Sequence, residues 1–286
     1  MLTRAGISGL LSLLLLGCSG AQEASSAPET SRAPQRIVSL DYCADQYVLQ
    51  FAEREDIVAL SPDADKSFSY LRAEASGIPQ VRPRSADVLA LEPDLVVRSY
   101  GGGPQVGAFL ERAGVELVQI GYPATIAEVR SEVTRIGSAL GKADEATALV
   151  AAMDARLARL DATERPGPTA LYMTEGGVTS GKGSLVHELM VAAGLSNFQD
   201  RSGWNPIPLE RLAYERPDLV VASFFENDAG GTHNWSAARH PIAQKQLSEL
   251  PVAQVEGAWT ACGGWFLVEA VEAMAKTADA AKADKK

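Results

Sequence analysis

Short runs of β-branched and aliphatic residues alternate with amphipathic stretches through the first half of the chain. Between the runs, apolar residues recur at the three- and four-residue intervals of helices. This alternation is typical of a mostly parallel sheet with helices on both faces. The runs that predict strands are Arg36–Leu40, Ile57–Leu60, Asp94–Arg98 and Glu116–Ile120.

The pattern changes over Lys142–Glu164, which contains no Gly or Pro. Its apolar residues keep helical spacing, at Leu149, Met153, Leu157 and Leu160. We predict one long amphipathic helix here, on the order of 30 Å at 1.5 Å per residue.

The alternation of strand and helix restarts after Pro168. We predict a strand at Thr169–Met173, a helix from about Leu185 and a strand at Asp218–Ala222. The two halves also share a sequence motif, because ADVLALEPDLVVRS and LERLAYERPDLVVAS each predict a helix, a Pro-Asp turn and a buried strand. A repeated motif of this kind indicates two similar lobes.

These elements predict an α/β fold of two Rossmann-like lobes joined by one long rigid α-helix. Ligands on such sheets bind at the carboxyl ends of the strands, so we expect the ligand cleft between the lobes. The predicted divisions are an N-terminal lobe at 36–141, a connecting helix at 142–166 and a C-terminal lobe at 167–286.

The first residues predict export from the cytoplasm. Arg4 precedes an apolar stretch that is too short to span a bilayer, for which about 20 residues are needed. The stretch ends in LLGC, which resembles the lipobox of bacterial lipoproteins and makes Cys18 the expected site of lipidation. We predict a signal peptide at 1–17 and a lipid-anchored flexible linker at 18–35. The alternative is an ordinary secretory signal with a chance Cys.

The charge balance argues against one class of partner. The chain has 286 residues, a formal net charge of -10 and no cluster of Lys and Arg. Proteins that bind nucleic acid neutralise phosphates with such clusters. We therefore expect no nucleic-acid partner.

The stretch EGGVTSGKGS, Glu175–Ser184, differs at one position from the sequence motif of a phosphate-binding loop. Gly183 occupies the position where such a loop has the Ser or Thr that holds Mg²⁺. We interpret the stretch as a strand–loop–helix turn that suits a cleft wall, with Lys182 as a rim charge or a loop-fixing donor.

No enzyme signature stands out elsewhere. The chain lacks a G-x-S-x-G elbow, and its three histidines are too scattered for a protein-built metal site. We predict neither an enzyme nor a resident cofactor or metal.

Four features together carry a resemblance. They are RIVSL at the first strand, EPDLVV with its following loop, the long helix, and TSGKGSLVHELMVAAGLSN in the second half. In order and spacing the chain resembles the substrate-binding proteins of ABC importers for metal chelates, namely ferric siderophores, heme and cobalamin, and the last stretch is most similar to the cobalamin-binding members.

The resemblance implies a function. A protein of this kind captures an iron-siderophore or cobalamin-type chelate between its lobes and delivers it to the ABC permease and its ATPase. We expect a monomer in the periplasm or cell envelope that contacts the membrane only through the anchor at Cys18. The alternatives are a non-transport envelope sensor or scaffold of the same fold and, less favoured, a hydrolase.

The family presents one acidic residue per lobe to arginines of the permease. Glu210 matches the second-lobe residue, whereas the first-lobe counterpart is Ala86 with Asp87 beside it. The resemblance therefore implies docking through Glu210 and, with a shorter reach, Asp87. The alternative for both is a solvated helix face.

A chelate needs broad apolar walls and a few orienting charges, and predicted strand-end loops supply both. Trp259 also matches a tryptophan of the cobalamin-binding relatives. Arg72 and Arg98 suit anionic oxygens of a chelate, or alternatively pair with local acids. The candidates for ligand binding are Tyr42, Tyr70, Arg72, Arg98, Tyr100, Trp204, Phe224, Trp235 and Trp259, and Trp265 is a further aromatic in this set.

Cys43 and Cys262 remain once Cys18 is acylated. An oxidising compartment makes a disulfide between them plausible. Unpaired thiols, or a pair that contacts ligand or metal, are the alternatives that the sequence leaves open.

Overall fold

Four parallel strands form a sheet in the first half of the chain. The computed structural model of the protein describes residues 35–160, 167–224 and 236–283. The sheet order is β2-β1-β3-β4. Its strands, which confirm the four runs predicted from sequence, are β1 (Ile37–Ser39), β2 (Ile57–Ala59), β3 (Leu95–Arg98) and β4 (Glu116–Gln119).

The second half repeats this sheet. Counted by chain position within its own half, each sheet has the order second, first, third and fourth strand, and all neighbours are parallel. The predicted similarity of the two halves is thus present in their topology. The strands are β5 (Thr169–Thr174), β7 (Ser196–Asn197), β9 (Leu219–Phe224) and β10 (Val252–Glu256), and a separate antiparallel pair consists of β6 (Val178–Ser180) and β8 (Trp204–Pro206).

Helices connect the strands in both halves. Among the described residues, no helix is long and apolar enough to cross a membrane. The helices are α1 (Tyr42–Phe51), α2 (Ser85–Leu89), α3 (Val106–Arg112), α4 (Ile126–Ala139), α5 (Ala143–Ala158), α6 (Leu185–Ala192), α7 (Leu209–Leu212), α8 (Pro241–Glu249), α9 (Gly257–Thr260) and α10 (Leu267–Ala283), with short 3₁₀ segments at Arg54–Asp56 and Ala237–Arg239.

Helix α5 occupies the segment predicted as the long connecting helix, but it is shorter. It ends at Ala158, where the N–H of Arg159 bonds to the carbonyl of Arg156 and closes a tight last turn. At 1.5 Å per residue its length is about 24 Å. The prediction of a helix over 142–166 is therefore wrong at its end, and residues 161–166 lie outside the described residues.

Helix α5 packs along α4 and α10. Its Arg156 bonds to Glu269 at 2.9 Å and to Glu272 at 2.6 Å, both on α10. Met153 is buried, and Leu149 and Leu157 pack on the core. Helix α5, which lies between the two sheets in sequence, is thus held by α10.

The core has three parts. Val38, Val96 and their neighbours form a cluster on one face of the first sheet, and Leu171, Val220 and theirs form one on a face of the second. The opposite faces of both sheets share a single cluster, with residues such as Leu95, Val97, Tyr172 and Val221. Alternate residues of each strand face opposite sides because side chains in strands have a period of two. The described residues of both halves belong to one compact unit, and the shared cluster packs between their sheets.

Candidate ligand-binding site

A cavity of about 480 Å³ lies where chain segments leave the carboxyl ends of strands in both halves. Its volume falls in the range of small-molecule sites. It is lined by Tyr42, Cys43, Ser99, Tyr100, Ile120, Gly121, Tyr122, Pro123 and Ala124 of the first half, and by Gly183, Ser184, Leu185, Gly203, Trp204, Thr260, Ala261, Cys262 and Gly263 of the second.

Aromatic side chains form much of the cavity wall. Tyr42 meets Tyr100 edge to face, with ring centroids 5.9 Å apart, and it packs on Phe68 at 4.9 Å. Tyr122 is 75% exposed and Trp204 is 60% exposed. Exposed aromatic surface gathered in one concave place is typical of a ligand site.

Asp41 fixes two segments of the cavity wall, namely the start of α1 and the loop after β3. Its Oδ2 accepts backbone N–H bonds from Ser99 at 2.7 Å, Tyr100 at 3.0 Å and Gly101 at 2.9 Å. Its Oδ1 accepts from Ala44 at 3.0 Å and caps α1. One buried carboxylate therefore positions the loop after β3 against the helix that carries Tyr42.

Gly101 allows this close approach. A Cβ there would overlap the carbonyl oxygen of Leu40. The loop that carries Tyr100 can thus pack on the end of β1 only where the side chain is absent.

Two glutamates fix the wall that follows β4. Glu132 accepts from the N–H of Gly121 and Glu128 accepts from the N–H of Ala124 at 2.6 Å. Glu128 also completes a capping box with Thr125 at the start of α4. The backbone that carries Tyr122 is thereby held at both sides.

The loop that imitates a phosphate-binding motif reaches the cavity. Gly183 and Ser184 line it, and Ser184 caps α6 by accepting from the N–H of His187. A Cβ on Gly181 would overlap the carbonyl oxygen of Arg201, so this glycine serves packing against the neighbouring loop. The last two residues of the stretch, Gly183 and Ser184, therefore form part of the cavity wall.

The two halves are joined covalently at the cavity. Cys43 and Cys262 form a disulfide, which is one of the three alternatives that the sequence left open. Beside it, the hydroxyl of Tyr47 donates to the carbonyl of Gly263 at 2.7 Å. A Cβ on Gly263 would overlap Pro123, so the halves are also in close contact here.

Burial raises the pKa of two cavity tyrosines, Tyr42 and Tyr100. It raises the pKa of Tyr42 above the usual value for a phenol, and the pKa of Tyr100 is raised further because burial combines with the nearby Tyr42 and Asp41. The hydroxyls of Tyr42 and Tyr100 bond to each other. Both side chains thus present neutral phenols.

Four predicted ligand residues do not line this cavity. Tyr70 stacks on Phe266 with ring centroids 4.5 Å apart, and Trp259 is half-buried against the shared core cluster. Arg72 is exposed and donates to the carbonyl of Ser69. Arg98 is buried, and its Nε has no hydrogen-bond partner among the described residues.

The remaining aromatic candidates and Cys18 have different outcomes. Trp265 belongs to the core, where it packs on Tyr47 and Phe266. Trp204, expected in a loop, lies in β8. Cys18, Trp235 and the side chain of Phe224 lie outside the described residues.

The two acidic docking candidates occupy corresponding places. Asp87 lies in the first turn of α2, the helix before β3, and Glu210 lies in the first turn of α7, the helix before β9. Both side chains are exposed. By contrast, Arg211 next to Glu210 is held by Glu215 at 2.7 Å.

A second cavity of about 710 Å³ lies in the second half, beside α6. Asn197 Nδ2 donates to Ser180 and lies 3.2 Å from Nδ1 of His187, while Asn197 Oδ1 accepts from the N–H of Gln199. These partners orient the amide, so His187 Nδ1 must be an acceptor. Burial lowers the pKa of His187, in line with a neutral ring.

Metal ligands do not gather in the part of the chain that the structure describes. No group of three or more His, Cys, Asp and Glu side chains there could hold an ion.

The family follows from comparison with known proteins. A family model described as periplasmic binding protein matches residues 83–231, just over half of the chain. The chain belongs to the periplasmic binding protein family. No curated protein matches it.

Solved structures of periplasmic binding proteins share the fold. A periplasmic heme-binding protein from Pseudomonas aeruginosa has a TM-score of 0.67 at 22% identity, over 86% of this chain and 93% of that one. A periplasmic heme-binding protein from Roseiflexus sp. RS-1 has 0.67 at 20% identity, over 86% and 100%. The periplasmic vitamin B12 binding protein of Vibrio cholerae has 0.63 at 18% identity, over 87% and 98%.

Proposed function

We propose that the protein is the extracytoplasmic substrate-binding component of an ABC importer. In this proposal it captures an iron-siderophore or cobalamin-type metal chelate, without covalent chemistry, and delivers it to the membrane permease. The observation that carries the proposal is the aromatic-walled cavity at the carboxyl ends of two sheets of equal topology. The heme- and vitamin B12-binding proteins of like fold support the ligand class.

The cavity is the proposed ligand cleft. The first half and the second half act as the two lobes, and α5 connects them. Tyr42, Tyr100 and Trp204, which were predicted from sequence, and Tyr122 form its walls. Tyr70, Arg72, Arg98 and Trp259 do not line this cavity, so their contact with the ligand stays a prediction on which the proposal does not rely. Contact with Phe224 and Trp235 also stays a prediction.

The experiment is a binding panel. Trp204 lines the cavity, so tryptophan fluorescence and thermal unfolding should respond to a bound chelate. The panel consists of heme, cyanocobalamin and ferric siderophores of hydroxamate and catecholate type. Quenching and stabilisation by at least one member support the proposal, and no response to any member contradicts it.

Docking through Asp87 and Glu210 is part of the proposal. Exposed carboxylates at matching places on two lobes would steer the protein onto basic groups of a permease. Glu210→Gln should reduce stimulation of the transporter ATPase and leave chelate affinity unchanged. Glu215→Gln is the matched control, since Glu215 is already paired with Arg211. Equal ATPase stimulation by the Glu210→Gln variant and the unaltered protein would remove Glu210 from the docking surface.

We further propose a monomer anchored at Cys18 in the periplasm or cell envelope. Palmitate labelling of cells should mark the protein, and Cys18→Ser should abolish the label. Labelling that persists in the Cys18→Ser variant would contradict the anchor.

A further inference from the structure

Among the residues that the structure describes, the cavity lining contains no Asp, Glu, Lys, Arg or His. Among the described residues its walls consist of aromatic, small, aliphatic and hydroxyl side chains, together with the disulfide. For a site proposed to take metal chelates, many of which are anions, this composition restricts the ligand.

Three acids that contact the cavity wall are engaged by its backbone. Asp41 binds the backbone of Ser99, Tyr100 and Gly101. Glu128 and Glu132 bind the backbone at Ala124 and Gly121, and Glu132 also pairs with Arg135 at 2.7 Å. These carboxylates bond to the backbone of the cavity wall, and none of them lines the cavity.

The two basic residues that are adjacent in sequence to lining residues do not line this cavity. Arg98 directly precedes Ser99, yet it is buried beside α3, where a Cβ on Gly107 would lie 3.8 Å from its Nη1. Lys182 directly precedes Gly183, and it lines the second cavity instead. Neither is part of the wall that faces the proposed ligand.

Tyr42 and Tyr100 bring no charge to the cavity wall. Burial raises the pKa of both Tyr42 and Tyr100, so they offer hydroxyl groups and ring faces instead of phenolate oxygens. The hydroxyls of Ser99, Ser184 and Thr260 add neutral hydrogen-bonding groups.

An ionic group that enters such a cavity loses hydration and gains no counter-charge from the described lining residues, which is costly. A neutral, partly apolar surface instead gains aromatic contact and hydrogen bonds. We infer that the cavity selects chelates that bury an uncharged face, and that ion pairs contribute little to affinity. The inference rests on the proposed function and names the ligand class within it.

Salt dependence tests this directly. The probes are cyanocobalamin and ferrichrome, which present uncharged surfaces, and a ferric tris-catecholate, which is anionic. We expect an uncharged probe to bind, with a Kd that changes less than about twofold between low salt and ~0.5 M NaCl, because screening acts only on charges. The anionic probe should bind at least ~10-fold more weakly.

A charge placed in the wall gives an independent test. Ala124 is half-exposed and lines the cavity. Ala124→Asp and Ala124→Lys should both weaken binding of the uncharged probe, by ~10-fold or more, relative to the neutral Ala124→Asn and Ala124→Gln controls. Thermal unfolding of each variant verifies that it is folded.

Three outcomes are distinguishable. Tight binding of the anionic probe that weakens steeply with salt, or tighter binding by Ala124→Lys, overturns the inference and leaves the proposed function standing. Binding of none of these probes and of no heme overturns the proposed function itself. Salt-independent binding of an uncharged probe, weakened by both charge signs, supports both.

Discussion

The Oδ2 atom of Asp41 accepts a hydrogen bond from the backbone N–H of Gly101 at 2.9 Å. This contact joins the end of the first strand to the loop after the third, across neighbouring strands of one sheet. Because Tyr42 follows Asp41 and Tyr100 precedes Gly101, the spacing of two cavity walls depends on it.

Asp41→Asn should loosen this wall. An amide has one acceptor oxygen, so it cannot serve both the loop and the N-cap of α1. We expect the free energy of unfolding to fall by about 2–3 kcal/mol, and chelate affinity to fall as well. Urea unfolding and ligand titration check both. Unchanged affinity in a destabilised variant would show that the wall does not depend on Asp41.

Gly101→Ala should destabilise the protein more than Gly103→Ala does. At Gly101 the added Cβ meets backbone of Leu40, whereas at Gly103 it meets nothing within 4 Å and only the positive φ of 72° opposes it. We expect losses of roughly 3 kcal/mol or more and about 1 kcal/mol, respectively. Similar losses in thermal or urea unfolding would contradict the close approach.

Removing the disulfide should lower stability substantially. Cys43 and Cys262 are 219 residues apart, so the bond restricts a very long loop of the unfolded chain. The double variant Cys43→Ser, Cys262→Ser should lose about 2–5 kcal/mol in unfolding free energy. Reductant should destabilise the original protein and leave the double variant unaffected. Equal sensitivity of both proteins to reductant would argue against the bond.

Asp45 should make stability fall as pH rises through the weakly acidic range. Burial raises the pKa of this carboxyl to about 6, despite hydrogen bonds from the N–H and hydroxyl of Ser61. The native state therefore holds the proton more tightly than the unfolded chain, whose Asp has a pKa near ~3.9. The resulting contribution is full below about pH 4 and is lost as pH rises through about 6.

The control for this effect is Asp45→Asn, which cannot ionise. The unfolding free energy of the variant minus that of the original protein should increase between pH ~4 and ~7, by on the order of 2–3 kcal/mol. A difference that stays flat with pH would show that Asp45 titrates normally.

Four of the strands that the sequence predicted share one property. The runs around Val38, Val96, Leu171 and Val220 are buried on both faces, so nearly every position is apolar. β10 was missed because Gln254 and Glu256 interrupt its apolar positions. The pair β6–β8 was missed because Trp204–Pro206 ends in a proline and is short.

The cavity was predictable only in part. The rule that finds Tyr42 and Tyr100 at strand ends would also have found Tyr122, which follows β4. The placement of Arg98 and Trp259 was not predictable, because their direction depends on packing with distant residues such as Gly107 and the shared core cluster. The periodicity of apolar residues shows which face of a helix or strand is buried, whereas tertiary contacts decide which residues pack against that face.

The affinity of a cavity variant for the probe that binds best tests the account most directly. Tyr122 is an exposed aromatic in the cavity wall, and Tyr214, 92% exposed, is an exposed aromatic outside it. By isothermal titration, Tyr122→Ala should raise the Kd by ~10-fold or more, because a bound ligand loses aromatic contact. Tyr214→Ala should leave the Kd within about twofold. A Tyr122→Ala variant that is folded and binds as tightly as Tyr214→Ala would contradict the assignment of this cavity as the ligand site.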